Sequence, residues 1–153
     1  MSDPRAKLTA LGLALPAVTV PLAAYLPAVR TGNHVYVSGQ LPMVDGKLEI
    51  TGKVGDEVDP EQAKQLAARC ALNALAAIDD LVGLEKVVRF VKIVGFVASA
   101  PGFTGQPGVI NGASEFFAEI FGDQGRHARS AVGVAELPLG APVEVEVIVE
   151  VAA

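Results

Sequence analysis

Residues Arg126–Val151 read RHARSAVGVAELPLGAPVEVEVIVEV, and the fold turns on how the two apolar runs in this stretch are laid down. The second run alternates valines with Glu144, Glu146, Ile148 and Glu150, the period-two pattern of a strand with one covered face. The first opens on Arg129 ahead of small apolar residues. Joined through LPLGAP, the two read as strands of a hairpin. That pairing sets Arg129 opposite the neighbourhood of Val151 and Glu144 opposite a residue near Glu136. The arginine and the glutamate then stand about seven residues apart along the ladder, roughly 23 Å at strand rise. No side chain spans that distance, so unless a bulge or bend reorganises the hairpin the two are expected to meet only between copies of the chain.

Upstream, HVYVSGQLPM (34–43) is strand-like and runs into DGK (45–47), which reads as a hairpin turn. The segment DPEQAKQLAARCALNALAAIDDLVG (59–83) predicts a helix with Asp59 as N-cap, Pro60 in its first turn, Gln62 closing a capping box and Gly83 at its end. Leu66, Cys70, Asn73, Ala74 and Ala77 share one face, and the alanines allow close approach to a sheet. KVVRFVKIVGFVAS (86–99) is too apolar for an open face and reads as an interior strand. A second helix within QPGVINGASEFFAEIFG (106–122) carries Phe116, Phe117, Ile120 and Phe121 as its stripe and ends at Gly122. Hairpin, helix, strand, helix and hairpin predict an α+β, ferredoxin-like mixed sheet of five or six strands with two helices on one face. Sister subunits are expected to cover the other face.

The 153 residues suit a single domain over 1–153, in which 1–24 form a short helix after Ser2 and an extended segment. Hydrophobic residues make up 51% and charged ones 19%, a globular composition with apolar surface to spare for an interface. Asp3, Pro16 and Pro21 argue against a secretory signal or a membrane span in the apolar first thirty residues, so a cytoplasmic protein is expected. A net charge of −5 with no basic run argues against a nucleic-acid binder. The single cysteine, Cys70, fits a reducing compartment and an inert buried thiol.

His34 and His127 lie far apart and Cys70 has no pair, so no metal site is expected. P-loop, dinucleotide and serine-elbow patterns are missing from the sequence. What remains is Arg129, the strand carboxylates, Tyr25 and the SGQ turn at Ser38–Gln40. A guanidinium holds a carboxylate through two parallel hydrogen bonds, and a nearby glutamate can activate water. The same residue types also make ordinary ion pairs at a sheet edge, and they do not decide between the two readings.

RTGNHVYVSGQLP (30–42), VINGASEFF (109–117) and ARSAVGVAELPLGAPVEVEVIV (128–149), in that order, resemble the RidA/YjgF family of enamine/imine deaminases. The resemblance runs from about Tyr25 onward. It implies a chorismate-mutase-like subunit, a homotrimer with a site in each inter-subunit cleft, and no cofactor. It assigns Arg129 to the substrate carboxylate, Glu144 to the hydrolytic water, and Tyr25 to a mobile segment closing the cleft. Ser38 and Gly39 match the site-lining SG pair, and Asn111 matches the asparagine of the second helix region. Ala131 stands where archetypal members have cysteine, and Ser114 where they have tyrosine, with extra sequence before Tyr25 and around 122–126. The expected activity is conversion of small 2-imino or 2-enamino acids to 2-keto acids and ammonia. A non-catalytic metabolite binder and a single-strand endoribonuclease are the alternatives. The expected partners are a small carboxylate substrate and sister subunits, not nucleic acid or membrane.

Overall fold

The structure, a computed structural model, describes residues 3–18 and 21–153. Its elements are α1 (Pro4–Ala10), β1 (Ala28–Thr31), β2 (His34–Gln40), α2 (Pro60–Leu81), β3 (Val87–Ala98), α3 (Gln106–Phe121), β4 (Ala128–Val134) and β5 (Val143–Val151). The strands form one sheet in the order β1-β2-β5-β3-β4. All neighbours are antiparallel except β3 and β4, which run parallel. This is the α+β mixed sheet with helices packed on it that the element order implies. Among the described residues no helix is long and apolar enough to cross a membrane.

Local signals formed as read. The Asp59 side chain accepts from the Glu61 N–H, the capping box with Gln62 closes, and Pro60 occupies the first turn of α2. Asp45 and Gly46, at φ 51° and 77°, do make a turn at DGK, but it is not the expected hairpin turn, since only the isolated bridge Val44 to Lys47 flanks it. The N-terminal hairpin is β1–β2, closed at Gly32 and Asn33, because β2 takes its partner from the residues before it. The helix expected after Ser2 is α1, capped by Asp3, and its Arg5 is paired with Asp79 and Glu85 near the end of α2.

The predicted hairpin over 126–151 does not exist. β4 and β5 flank β3 on opposite sides and share no ladder. β3, α3 and β4 form a β-α-β unit, which makes β4 parallel to β3. Residues 135–142 then cross the end of β3, where the Ala98 N–H donates to Pro142 O at 2.9 Å and the Ser99 N–H to Val134 O at 3.0 Å. The connection holds a 3₁₀ turn at Pro138–Gly140 and is far longer than a two-residue hairpin turn. The energetic reason lies in β5. Val143, Val145, Val147, Val149 and Val151 are all buried, and this interior strand has β2 on one edge and β3 on the other, which satisfies its backbone groups and leaves no edge for β4.

The helices cover the face that carries those valines. Phe90 of β3 packs against Phe117 and Phe121 of α3, with ring centroids 4.4 and 5.0 Å apart. Cys70 of α2 is buried, and desolvation pushes its thiol well above the ordinary value, an inert sulfur. Among the described residues no helix lies on the opposite face. It presents Glu144, Glu146, Ile148, Val94 and Phe96 beside Val29, Tyr36 and Val132, the last three 49%, 47% and 43% exposed. A cavity of about 240 Å³ opens there between Tyr36, Lys92, Val94, Glu146 and Ile148.

Candidate functional site

Arg129 lies on edge strand β4 opposite Ile93. Ile93 is buried beneath the helices, so Arg129 shares the helix side of the sheet and reaches α3. Its Nη1 donates to Asn111 Oδ1 at 2.8 Å and to Ser114 Oγ at 3.2 Å. Asn111 and Ser114 are three residues apart on α3, the spacing that puts two side chains on one helix face. Among the described residues no carboxylate pairs with Arg129, and its Nε and Nη2 have no hydrogen-bond partner. The ordinary ion pair is therefore not what holds this arginine. Ala131, two residues on and on the same face, packs half-buried against the core.

Behind Ser114 stands His127, which the sequence brings to notice only as a histidine without a metal-binding partner. Ser114 Oγ is 2.9 Å from His127 Nε2, and His127 Nδ1 is 2.7 Å from Gly125 O. Burial lowers the imidazole pKa and the Arg129 charge adds to that, against the opposite pull of the Gly125 carbonyl. The ring is accordingly neutral at pH 7. Strand alternation was the usable signal, because residues 127 and 129 must face the same way.

Glu144 is on β5 opposite Phe96, on the helix-free face. Burial raises its carboxyl pKa and the neighbouring Glu146 raises it further. Among the described residues it has no cationic partner. Gly39 lies against it: a Cβ at that position would stand 2.7 Å from Glu144 Oε1. The contact exists because β2 bulges between Val37 and Gln40, which brings the backbone of residue 39 over the carboxylate.

The hydroxyl of Ser38 donates to Leu26 O at 2.6 Å, and the Ser38 N–H to Pro27 O at 2.9 Å. These bonds hold the segment that carries Tyr25, itself 57% exposed and outside the core. Tyr25, Ser38 and Gly39 line one wall of a cleft of about 730 Å³, whose far wall includes Arg69 and Asn73 of α2. That volume suits a small organic ligand. Arg69 Nε donates to Met43 O at 2.9 Å, and Asn73 Nδ2 donates to Leu41 O at 3.0 Å and Met43 O at 3.1 Å. α2 thereby fixes the loop beyond the SGQ turn, a role no sequence motif announced.

The seven residues singled out from sequence thus fall into two groups. Arg129, Asn111 and Ala131 lie between β4 and α3, while Tyr25, Ser38 and Gly39 line the cleft beside β2 and Glu144 of β5 meets that group at Gly39. Ile93 and Phe96 are three residues apart on β3 and point to opposite faces, so Arg129 and Glu144 do too. Their backbones are about 10 Å apart along the strand direction and about 10 Å across two strand spacings. A single chain offers no point that both can touch.

The sequence matches the family model described as Endoribonuclease L-PSP over residues 17–151. It is 43% identical over 147 residues to Protein TCP17 of Trypanosoma cruzi, covering 95% of this chain and 92% of that protein. It is 34% identical over 138 residues to a 2-iminobutanoate/2-iminopropanoate deaminase of Dermatophagoides farinae, covering 90% and 93%. A solved structure from Agrobacterium tumefaciens, of unknown function, is similar at TM-score 0.89 and 46% identity, covering 98% of this chain and 94% of that one.

Proposed function

The chain belongs to the endoribonuclease L-PSP family, also called RidA/YjgF, and from that premise we propose that it is a hydrolytic deaminase of small 2-imino and 2-enamino acids. The observation that carries this reading is the state of Arg129. It is a half-buried guanidinium on neutral acceptors, Asn111 and Ser114, with its Nε and Nη2 edge uncommitted. A cation arranged in this way is suited to a ligand carboxylate, which takes two parallel N–H···O bonds from one guanidinium edge.

With Arg129 on the carboxylate, the imine carbon lies within reach of a water held by a carboxylate of the neighbouring copy. Glu144 takes that role. Desolvation and Glu146 have moved its pKa toward the range where a carboxyl both accepts and returns a proton. Water oxygen bonds to the C=N carbon and its proton goes to Glu144, giving a carbinolamine. Glu144 returns the proton to nitrogen, the C–N bond breaks, and the hydroxyl proton leaves with ammonia. An iminium acid and water thus become a 2-keto acid and ammonium, with no oxidant and no cofactor.

Because Arg129 and Glu144 diverge within one chain, the site requires two copies, with Arg129 of one copy facing Glu144 of the next. The uncovered apolar face around Tyr36, Val94 and Ile148 supports the same association. A closed ring is the assembly that repeats such a heterologous contact without open ends, and a trimer is the form the family resemblance implies. The direct test generates imino acid in place with an amino-acid oxidase, traps what survives with semicarbazide, and measures the effect of the protein. Catalytic loss of trapped imine with matching 2-keto acid is expected. An unchanged trapping yield at enzyme concentrations well above catalytic levels refutes the assignment.

A further inference from the structure

We infer that Ser114 and His127 are positioning residues for Arg129, joined to it in a one-way hydrogen-bond chain that ends on the Gly125 carbonyl and leaves the Nε–Nη2 edge as an intact carboxylate fork. What the fork holds rests on the deaminase reading; the chain itself rests on geometry.

The direction of the chain follows from which groups can donate. Gly125 O only accepts, so His127 Nδ1, at 2.7 Å, carries the proton. In the neutral ring Nε2 is then an acceptor, and the Ser114 hydroxyl donates to it across 2.9 Å. Ser114 Oγ is left with lone pairs only, and it accepts from Arg129 Nη1 at 3.2 Å. The second Nη1 hydrogen goes to Asn111 Oδ1 at 2.8 Å. Both hydrogens of one nitrogen are spent, which fixes the guanidinium plane, while the two nitrogens suited to bidentate recognition stay unspent. Alanine at 114 would leave one Nη1 hydrogen without this acceptor.

The far end of the chain is anchored by packing. Gly125 is buried, and a Cβ there would stand 2.3 Å from Phe117 O. Only glycine lets this turn lie on the α3 backbone, and that contact sets where the Gly125 carbonyl sits relative to Ser114, one helical turn before Phe117. Of the charged groups on surrounding elements, Arg129 of β4 acts on the ring. α3 presents neutral Asn111 and Ser114, and its Glu115 is paired with Lys64 of α2 at 3.2 Å. Lys92 of β3 is the ladder partner of Ala128 and so faces the other side of the sheet. Asp123 and Arg126 of the preceding turn are exposed.

Protonation of His127 reverses the chain. Nε2 becomes a donor, the Ser114 proton loses its acceptor, and a second positive charge sits beside Arg129. The fork is loosened, and substrate binding weakens in acid.

The test uses three variants of the full-length protein. Ser114→Ala and His127→Asn each remove the acceptor relation, Asn retaining only the donor toward Gly125. Each should raise KM for the imino acid about tenfold with kcat little changed, the cost of one hydrogen bond to a charged group. His127→Gln offers an amide oxygen near the Nε2 position without a titrating ring. It should restore KM toward the wild-type value and abolish its rise in acid. Independently of turnover, nitrogen-15 spectra of the unliganded protein should show His127 neutral with its proton on Nδ1 at pH 7. The Arg129 Nε–H signal should shift in Ser114→Ala. A wild type that neither hydrolyses imine nor binds 2-oxobutanoate removes the deaminase reading, and these spectra then decide the chain alone. The inference is overturned by a proton on Nε2, by an unmoved Arg129 signal, or by unchanged KM in Ser114→Ala. Acylation of Ser114 by a fluorophosphonate probe overturns it as well, since Ser114 would then act as a nucleophile.

Discussion

If each site takes Arg129 from one copy and Glu144 from the next, two inactive variants must complement each other. Arg129→Ala subunits still carry Glu144, and Glu144→Gln subunits still carry Arg129. Within one chain the two groups point to opposite faces, about 10 Å apart along the strands and about 10 Å across them, so no subunit completes a site alone. In a ring assembled at random from equal amounts, each contact draws its arginine donor and its glutamate donor independently. About one quarter of contacts then regain both groups, and specific activity should recover to about a quarter of wild type. The variants are unfolded together, refolded, and checked for mixed rings by native mass spectrometry on tags of different mass. Initial rates are read in the imine-trapping assay against each variant refolded alone. Mixed rings that form in the expected proportions and remain inactive would refute the shared site, and so would full activity in either variant alone.

Other outcomes follow from individual contacts. Arg129→Ala should lose ~2–5 kcal/mol of ligand interaction, and Arg129→Lys should recover little of it, because an ammonium has no planar fork; kcat/KM of the two variants checks this. Gly39→Ala places a methyl 2.7 Å from Glu144 Oε1, so it should displace the carboxylate and lower kcat while the unfolding midpoint in urea barely moves. Glu144 has a raised folded-state pKa, so the acid form favours folding below the unfolded value of about 4.5, and that contribution is lost as pH rises through the folded value. Glu144→Gln should therefore stabilise the protein at pH 7 relative to wild type more than at pH 4, which denaturant titrations at the two pH values will show.

What could be read in the sequence was local. Asp59, Pro60 and Gln62 meet within one turn of α2, and the Phe116–Phe121 stripe needs only the helical period to declare itself. The pairing of β4 and β5 was not local. The alternation of Val143–Val151 shows which face is buried, yet it is silent on which strand lies alongside. Adjacency in sequence suggested a hairpin, whereas β3 has two edges to satisfy and took one strand on each. The site divides in the same way. Arg129 and Glu144 stood out by residue type within apolar strands and by family resemblance. Ser114 stood out only as a departure from the family pattern and His127 only as a lone histidine, because their contact depends on Gly125 letting a turn settle onto α3.

The side-chain parity of β4 and β5 explains the carboxylates among the valines of 143–151. All five valines of β5 serve the core, which leaves Glu144, Glu146 and Glu150 to the helix-free face. Arg129 of β4 obeys the same alternation with the opposite result, since it shares its level with buried Ile93 and turns toward α3. Had β4 and β5 formed a hairpin, Arg129 and Glu144 would have been separated by ladder length alone. With β3 between them, they are separated by face, by strand and by level, and a bulge in one strand cannot remove all three. A neighbouring copy can, because bringing the Glu144 face of one sheet against the β4 edge of another changes all three together. On the proposed reading, the apolar surface that drives association and the geometry that completes the site are consequences of one strand order.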